Sequence, residues 1–189
     1  GNGEAGASID VEINGTTHST TVGENGSWTV TFSSTEITTG EYETDVKITS
    51  KDSFGNASTV TETLVVDTVA EVSLNGGFAG SDDLINMSEA SAGITLTGTA
   101  QPGSTVMVNF HGTDMPATVD VNGNWTLNVS STGIPEGKYE AAISVTATDA
   151  HGNTKTINSA VDVDTTAGVT FSSAPVEGDN VINATEVAD

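Results

Sequence analysis

The sequence predicts an all-β protein built from repeated antiparallel β-sandwich domains. Three observations carry this expectation. The composition is that of strands and turns, the chain repeats itself every 97 residues without a gap, and each copy holds short segments in which large apolar residues alternate with polar ones.

Thr, Ser, Val, Gly, Asn and Asp dominate the 189 residues, whereas Leu, Lys, Arg and Gln are scarce. β-branched and turn-forming residues favour sheets over helices. Twenty-six acidic residues stand against four lysines, a net charge of −22. No basic patch is available to neutralise phosphates, which argues against nucleic acid as a partner, and anionic membrane surfaces would repel the chain. Its natural counterions are small hard cations, for which carboxylate oxygens are well suited. Without cysteine, a metal or the core itself must provide stability. No apolar run is long enough to cross a membrane as a helix, so membrane insertion is not expected. The first residues lack the pattern of an export signal, which would then be encoded outside this sequence. A chain so acidic and rich in Gly and Ser could be disordered, but the regular periodicity argues otherwise.

The repeat sets Trp28 on Trp125, Tyr42 on Tyr139, Asp52 on Asp149, Gly55-Asn56 on Gly152-Asn153 and Asp67-Thr68 on Asp164-Thr165. The same offset carries Asp82, Ile85, Asn86 and Glu89 onto Asp179, Ile182, Asn183 and Glu186. A unit of this length encloses its own core, so it is a domain and not a solenoid turn. The expected division is 1–67 for a first domain lacking its opening strand, 68–166 for a complete one, and 167–189 for the start of a third. An alternative register gives 1–92 and 93–189.

Within the complete copy, strands are expected over Glu71–Asn75, Gly93–Ala100, Thr105–Phe110 and Ala117–Val121. Asn122-Gly123 reads as a tight hairpin turn, and Trp125, Leu127 and Val129 share one face of the strand that follows. Tyr139, Ala141, Ile143, Val145 and Ala147 line the next strand, and a turn at Asp149–Asn153 leads into Thr154–Val163. Seven antiparallel strands with turns between them fit an immunoglobulin-like sandwich. An odd strand number puts entrance and exit at opposite poles, so that tandem domains would be arranged end to end.

Acidic positions recur in three places. The first is the junction, Asp67 and Asp164. The second is the loop Asp82-Asp83-x-x-Asn86-x-x-Glu89, echoed by Asp179, Asn183 and Glu186. The third is the final hairpin turn, Asp52 and Asp149, each followed by Gly-Asn. In a seven-strand path the final turn lies at the pole where the chain enters, which brings Asp67 toward Asp149. The Asp82–Glu89 loop would lie near Asp164, or fold back to the other pole. Clustered oxygens of this kind suit Ca2+, the expected cofactor, which takes six to eight oxygens in flexible geometry. Turn chemistry competes as an explanation, because Asp and Asn side chains hydrogen-bond the backbone of tight turns.

The set Val-Asp-Thr-x-Ala, Asp-Asn-x-Ile-Asn-x-x-Glu, Asn-Gly-x-Trp, Gly-x-Tyr and Asp-x-x-Gly-Asn resembles the bacterial Ig-like repeats of giant adhesins secreted by type I systems, often with RTX sequences near their C-termini. The resemblance spans nearly the whole chain. It implies structural extender repeats at the bacterial cell surface, extracellular and stiffened by calcium at their linkers. They would serve adhesion or biofilm formation, with neighbouring repeats as partners and the host or surface ligand bound by other regions. Gly168 departs from the proline that often follows Thr-x-Ala in that family. No RTX nonapeptide and no EF-hand loop is present.

An enzyme is not expected. His18, His111 and His151 do not recur between copies, and no Gly-x-Ser-x-Gly elbow or His-Glu-x-x-His occurs. The rival is a carbohydrate-binding module, which would display exposed aromatics. Trp28, Trp125, Tyr42 and Tyr139 alternate with polar residues as core anchors do, and Phe54 and Phe78 share no platform.

Overall fold

The computed structural model describes residues 1–80 and 82–170. Its strands form three sheets, gathered around two separate hydrophobic clusters. The first unit is a four-stranded antiparallel sheet of β1 (Ser8–Ile13), β2 (Thr16–Thr21), β3 (Glu41–Lys51) and β4 (Ala57–Asp67), in the order β2-β1-β3-β4.

The second unit holds β5 (Leu84–Asn86), a short helix α1 (Met87–Ala92), β6 (Ile94–Thr99), β7 (Thr105–Phe110), β8 (Thr113–Pro116), β9 (Thr118–Val119), β10 (Asn124–Val129), β11 (Lys138–Thr148) and β12 (Thr154–Asp164). They pair into a sheet of β6-β10-β9 facing a sheet of β5-β12-β11-β7-β8. Alternation puts Trp125, Leu127 and Val129 inside from one sheet, and Ala141, Ile143, Val145 and Ala147 inside from the other. The faces expected from the sequence are those the core uses.

Four details differ from expectation. The Asp82–Glu89 segment is not a loop. It contains β5 and the start of α1, and β5 pairs in parallel with β12, so the sheet is not purely antiparallel. Ile85 is fully buried, and laying its strand beside β12 is what takes it there. Three residues are too few to show a period in the sequence.

The expected strand 117–121 shortens to β9, and an additional strand, β8, precedes it. β8 pairs with β7 and β9 with β10, so the chain changes sheets at Pro116–Ala117. Pro116 has no N–H to donate to a ladder, which suits a crossing point.

Asn122-Gly123 is not a two-residue turn. Asp120 N–H donates to Asn124 O (2.8 Å), which closes a longer loop.

Finally, Glu71–Asn75 is a strip held on the edge of β6 by Ser73 N–H to Thr99 O and Asn75 N–H to Thr97 O, both 2.8 Å.

The two tryptophans share a setting but not a depth. In each unit a glycine lies against the indole, Gly98 on Trp125 and Gly1 on Trp28, where a Cβ would collide with the ring. Trp125 is 1% exposed, whereas Trp28 is half-buried. The strip Glu71–Asn75 roofs Trp125, whose Nε1–H donates to Ser73 O (3.0 Å). Over Trp28 the corresponding acceptor is Asn2 O at 3.2 Å. The tyrosines repeat as well: the hydroxyls of Tyr42 and Tyr139 donate to Thr38 O and Pro135 O, four residues earlier, at 2.8 Å each.

Candidate metal centre

The same turn is built three times, as Asp52–Asn56, Asp120–Asn124 and Asp149–Asn153. In each, the Asp Oδ1 accepts the backbone N–H groups two and four residues on. The Asn side chain donates to the Asp Oδ2, at 2.6, 2.9 and 2.7 Å respectively. Asp-x-x-Gly-Asn is therefore a self-contained turn, in which the carboxylate stands in for backbone acceptors and Gly takes positive φ. In the first two turns the side-chain hydrogen bond from the Asn leads the causes that hold the Asp below the ordinary carboxylate range. At Asp149 burial pushes the pKa up, but the bonds from Asn153, His151 and Gly152 outweigh it, leaving it lowered.

What distinguishes the third turn is its neighbour. β4 ends at Asp67, and its carboxylate reaches the β11–β12 turn of the next unit. Asp67 Oδ2 lies 2.8 Å from His151 Nδ1. Asn153 Nδ2–H donates to Asp67 Oδ1 (3.1 Å) and Asp67 O (3.3 Å) as well as to Asp149. A carboxylate oxygen from each of Asp67 and Asp149 and a ring nitrogen of His151 all lie within 4.8 Å of one another. Asp149 is 9% exposed and the Asp67 side chain 10%. Two nearly buried carboxylates from different units thus converge, with a positively polarised amide wedged between them.

The opposite pole differs. β5 sets Asn86 opposite Asp164, the first of the two placements left open by the sequence. Asp164 is already neutralised by Lys138 Nζ at 2.8 Å, and the hydrogen bond from Lys138 is the leading cause of its lowered pKa. In the first junction the position of Lys138 is taken by Glu41, which faces Asp67 across the β3–β4 ladder. Glu41 Oε2 accepts from Gln101 Nε2 of the next unit, at 3.2 Å. No lysine pairs with Asp67 among the described residues.

The motif Asn86-x-x-Glu89 works as a helix cap. Asn86 Oδ1 accepts from the N–H groups of Ser88 and Glu89, and Glu89 Oε2 accepts from Asn86 N–H at 3.0 Å. This reciprocal arrangement is a capping box. Glu89 Oε1 and Asp82 Oδ1 flank Gly80, where a Cβ would meet them at 2.7 and 3.5 Å. Asp83 is exposed, with φ of +53°. Asp52 is held within its own turn, beside an exposed Phe54. Asp179, Asn183 and Glu186 lie outside the described residues.

Of the residues singled out in the sequence, the structure brings together Asp67 and Asp149. Sequence reasoning passed over His151 because it does not recur, and it left Asn153 as turn chemistry. The available signal was that His151 sits inside the turn expected to face Asp67.

A sandwich of this topology, carrying a polar junction between successive units, defines a class of modular β-repeat proteins. A family model described as bacterial Ig-like domain matches residues 70–165, just over half of the chain, and the chain belongs to that family.

Among solved structures it is 34% identical to a Ca2+-stabilized adhesin that helps an Antarctic bacterium reach out and bind ice, over 87% of this chain and 41% of that one, with a TM-score of 0.46. It is 33% identical to a 1.5-MDa bacterial ice-binding adhesin, over 87% of this chain and 55% of that one, with a TM-score of 0.49. A bacterial immunoglobulin-like domain from the M. primoryensis ice-binding adhesin is also 33% identical, over 51% of this chain and 99% of that domain, with a TM-score of 0.38. The chain spans about half the length of the first two. No curated protein matches it.

Proposed function

We propose that the chain is an extender segment of a bacterial cell-surface adhesin. Its units, divided at 67/68 and 166/167, join end to end outside the cell. A Ca2+ ion at the junction of Asp67 with Asp149 stiffens them. The convergence of two nearly buried carboxylates from different units on one point supports this reading most directly.

The donor set suits calcium. Asp67 offers both carboxylate oxygens and its main-chain carbonyl, Asp149 offers Oδ2, and a half-turn of the Asn153 carboxamide presents Oδ1 in place of Nδ2. The Asn153 amide already sits where positive charge is favoured. Bound calcium would supply an ionic link between units, and without it the two carboxylates repel. Asp67 would hold the ion from one unit, Asp149 and Asn153 from the next. The neighbouring repeats are then the partners, and the surface ligand belongs to other regions of the adhesin, which acts in attachment or biofilm formation.

Trp125, 1% exposed and bonded through its ring nitrogen, offers no stacking platform for a sugar, and nothing in the site calls for catalysis.

Titration of Ca2+ into metal-free protein is expected to raise the melting temperature and lengthen the particle in small-angle X-ray scattering. Mg2+ should do much less, because it demands stricter octahedral geometry. A chelator that changes neither quantity would overturn the reading.

A further inference from the structure

We infer that the junction also takes a borderline transition-metal ion of the Zn2+ or Ni2+ type through His151, a chemistry its sister turns lack. The inference rests on the junction being the cation site proposed above, and it adds a second class of ion to it.

The argument begins with the repeated turn. Its third position is Phe54 in the first copy, Asn122 in the middle turn and His151 at the junction, while the flanking Asp, Gly and Asn stay the same. Phe54 projects into solvent, 88% exposed. His151 instead turns its Nδ1 onto Asp67. The turn itself does not need the imidazole, since the Asp120 turn forms the same bonds with asparagine in that place.

The three groups lie close enough to converge on one small ion. Bonds of about 2.1 Å place neighbouring ligand atoms ~3.0 Å apart in an octahedron and ~3.4 Å apart in a tetrahedron. Asp67 Oδ2 and His151 Nδ1 are 2.8 Å apart, and the Asp149 oxygen lies within 4.8 Å of both. Imidazole with carboxylates suits Zn2+, Ni2+ or Co2+, whereas Ca2+ prefers oxygens throughout.

Burial and charge agree with this. The carboxylates form a fixed floor, 9% and 10% exposed, and the His151 side chain, 68% exposed, is open to an ion arriving from solvent. At the equivalent of Asp67 in the next copy, Lys138 neutralises Asp164. At Asp67 that lysine is replaced by Glu41, so the local charge still calls for a cation.

The test is calorimetric titration of the chelator-treated 189-residue chain with Zn2+, Ni2+ and Ca2+ at neutral pH, alongside thermal melts. Wild type is compared with His151→Phe, which restores the residue of the first copy, and with a His18→Gln/His111→Gln variant that removes the other imidazoles. Zn2+ is expected to raise the melting temperature of wild type and of the double variant alike. His151→Phe should weaken Zn2+ binding about tenfold or more and leave the Ca2+ response intact. Equal Zn2+ affinity in wild type and His151→Phe would overturn the inference, as would a Zn2+ response lost in the double variant. A Ca2+ response missing from wild type while the His151-dependent Zn2+ response persists would instead overturn the calcium reading and leave this one standing.

Discussion

Gly98→Ala tests how the second unit closes over its tryptophan. A Cβ at Gly98 would overlap the Ser73 carbonyl oxygen and approach two ring atoms of Trp125 at 2.7 Å. One of the two must yield. Trp125 is fixed on β10, 1% exposed and packed on every side. The strip Glu71–Asn75 lies at the edge of β6, so it can move where the central strand cannot. It is held by two backbone hydrogen bonds, by side-chain bonds of Ser73 and Asn75 to Thr99 and Thr97, by the indole N–H and by Val72 and Leu74 against the core. The strip should therefore be pushed off, leaving the Trp125 Nε1–H without its acceptor.

A buried orphan donor costs ~1–3 kcal/mol, and the residual overpacking adds ~1 kcal/mol. Together these predict a loss of about 2–4 kcal/mol. At ~4–8 °C per kcal/mol for a domain of this size, the melting temperature of the second unit should fall by roughly 10 °C or more. Urea unfolding followed by tryptophan emission would measure the loss. Hydrogen exchange should quicken at the Ser73 and Asn75 amides before it does elsewhere. Stability within about 0.5 kcal/mol of the parent, with Ser73 exchange unchanged, would refute the roofing role assigned to the strip.

Two further outcomes follow from the other sites. Asn86→Ala removes the cap of α1 and should cost about 1 kcal/mol in the second unit while leaving calcium binding at the Asp67 junction unchanged; a matching fall in that binding would show that the motif serves the metal. Glu36 is held at a pKa of about 2, from an ordinary 4.5, first by the Ser33 hydroxyl, then by the Ser33 N–H and by His18. Its folded pKa lies below the unfolded one, so its contribution is complete above about pH 4.5 and fades as the pH falls toward 2. Glu36→Gln should flatten the acid dependence in that window, and a carboxyl resonance titrating near 4.5 in the parent would contradict the arrangement.

The turns show how one motif acquires different meanings. Asp52, Asp120 and Asp149 look alike in sequence, and locally they are alike, each satisfying the same backbone N–H groups. Only position separates them, because Asp149 alone among the three has another unit's carboxylate at its side. The Asn86–Glu89 spacing was open to two readings, metal loop or helix cap, and the geometry of α1 realises the cap. A three-residue strand and a six-residue helix are too short to leave a period, so neither was legible in advance.

Composition, the 97-residue offset and the alternation of Trp125, Leu127 and Val129 were enough to predict an all-β repeat and, in the second unit, the face the core strands turn inward. These are local properties: side chains alternate along any strand, and a core must take the apolar set. Where β12 finds a parallel partner, where the chain crosses between sheets, and which turn meets Asp67 depend on contacts across the fold. Asp67 and His151 are 84 residues apart, and no local pattern encodes that they touch. The packing of one unit's end against the next unit's turn brought them together.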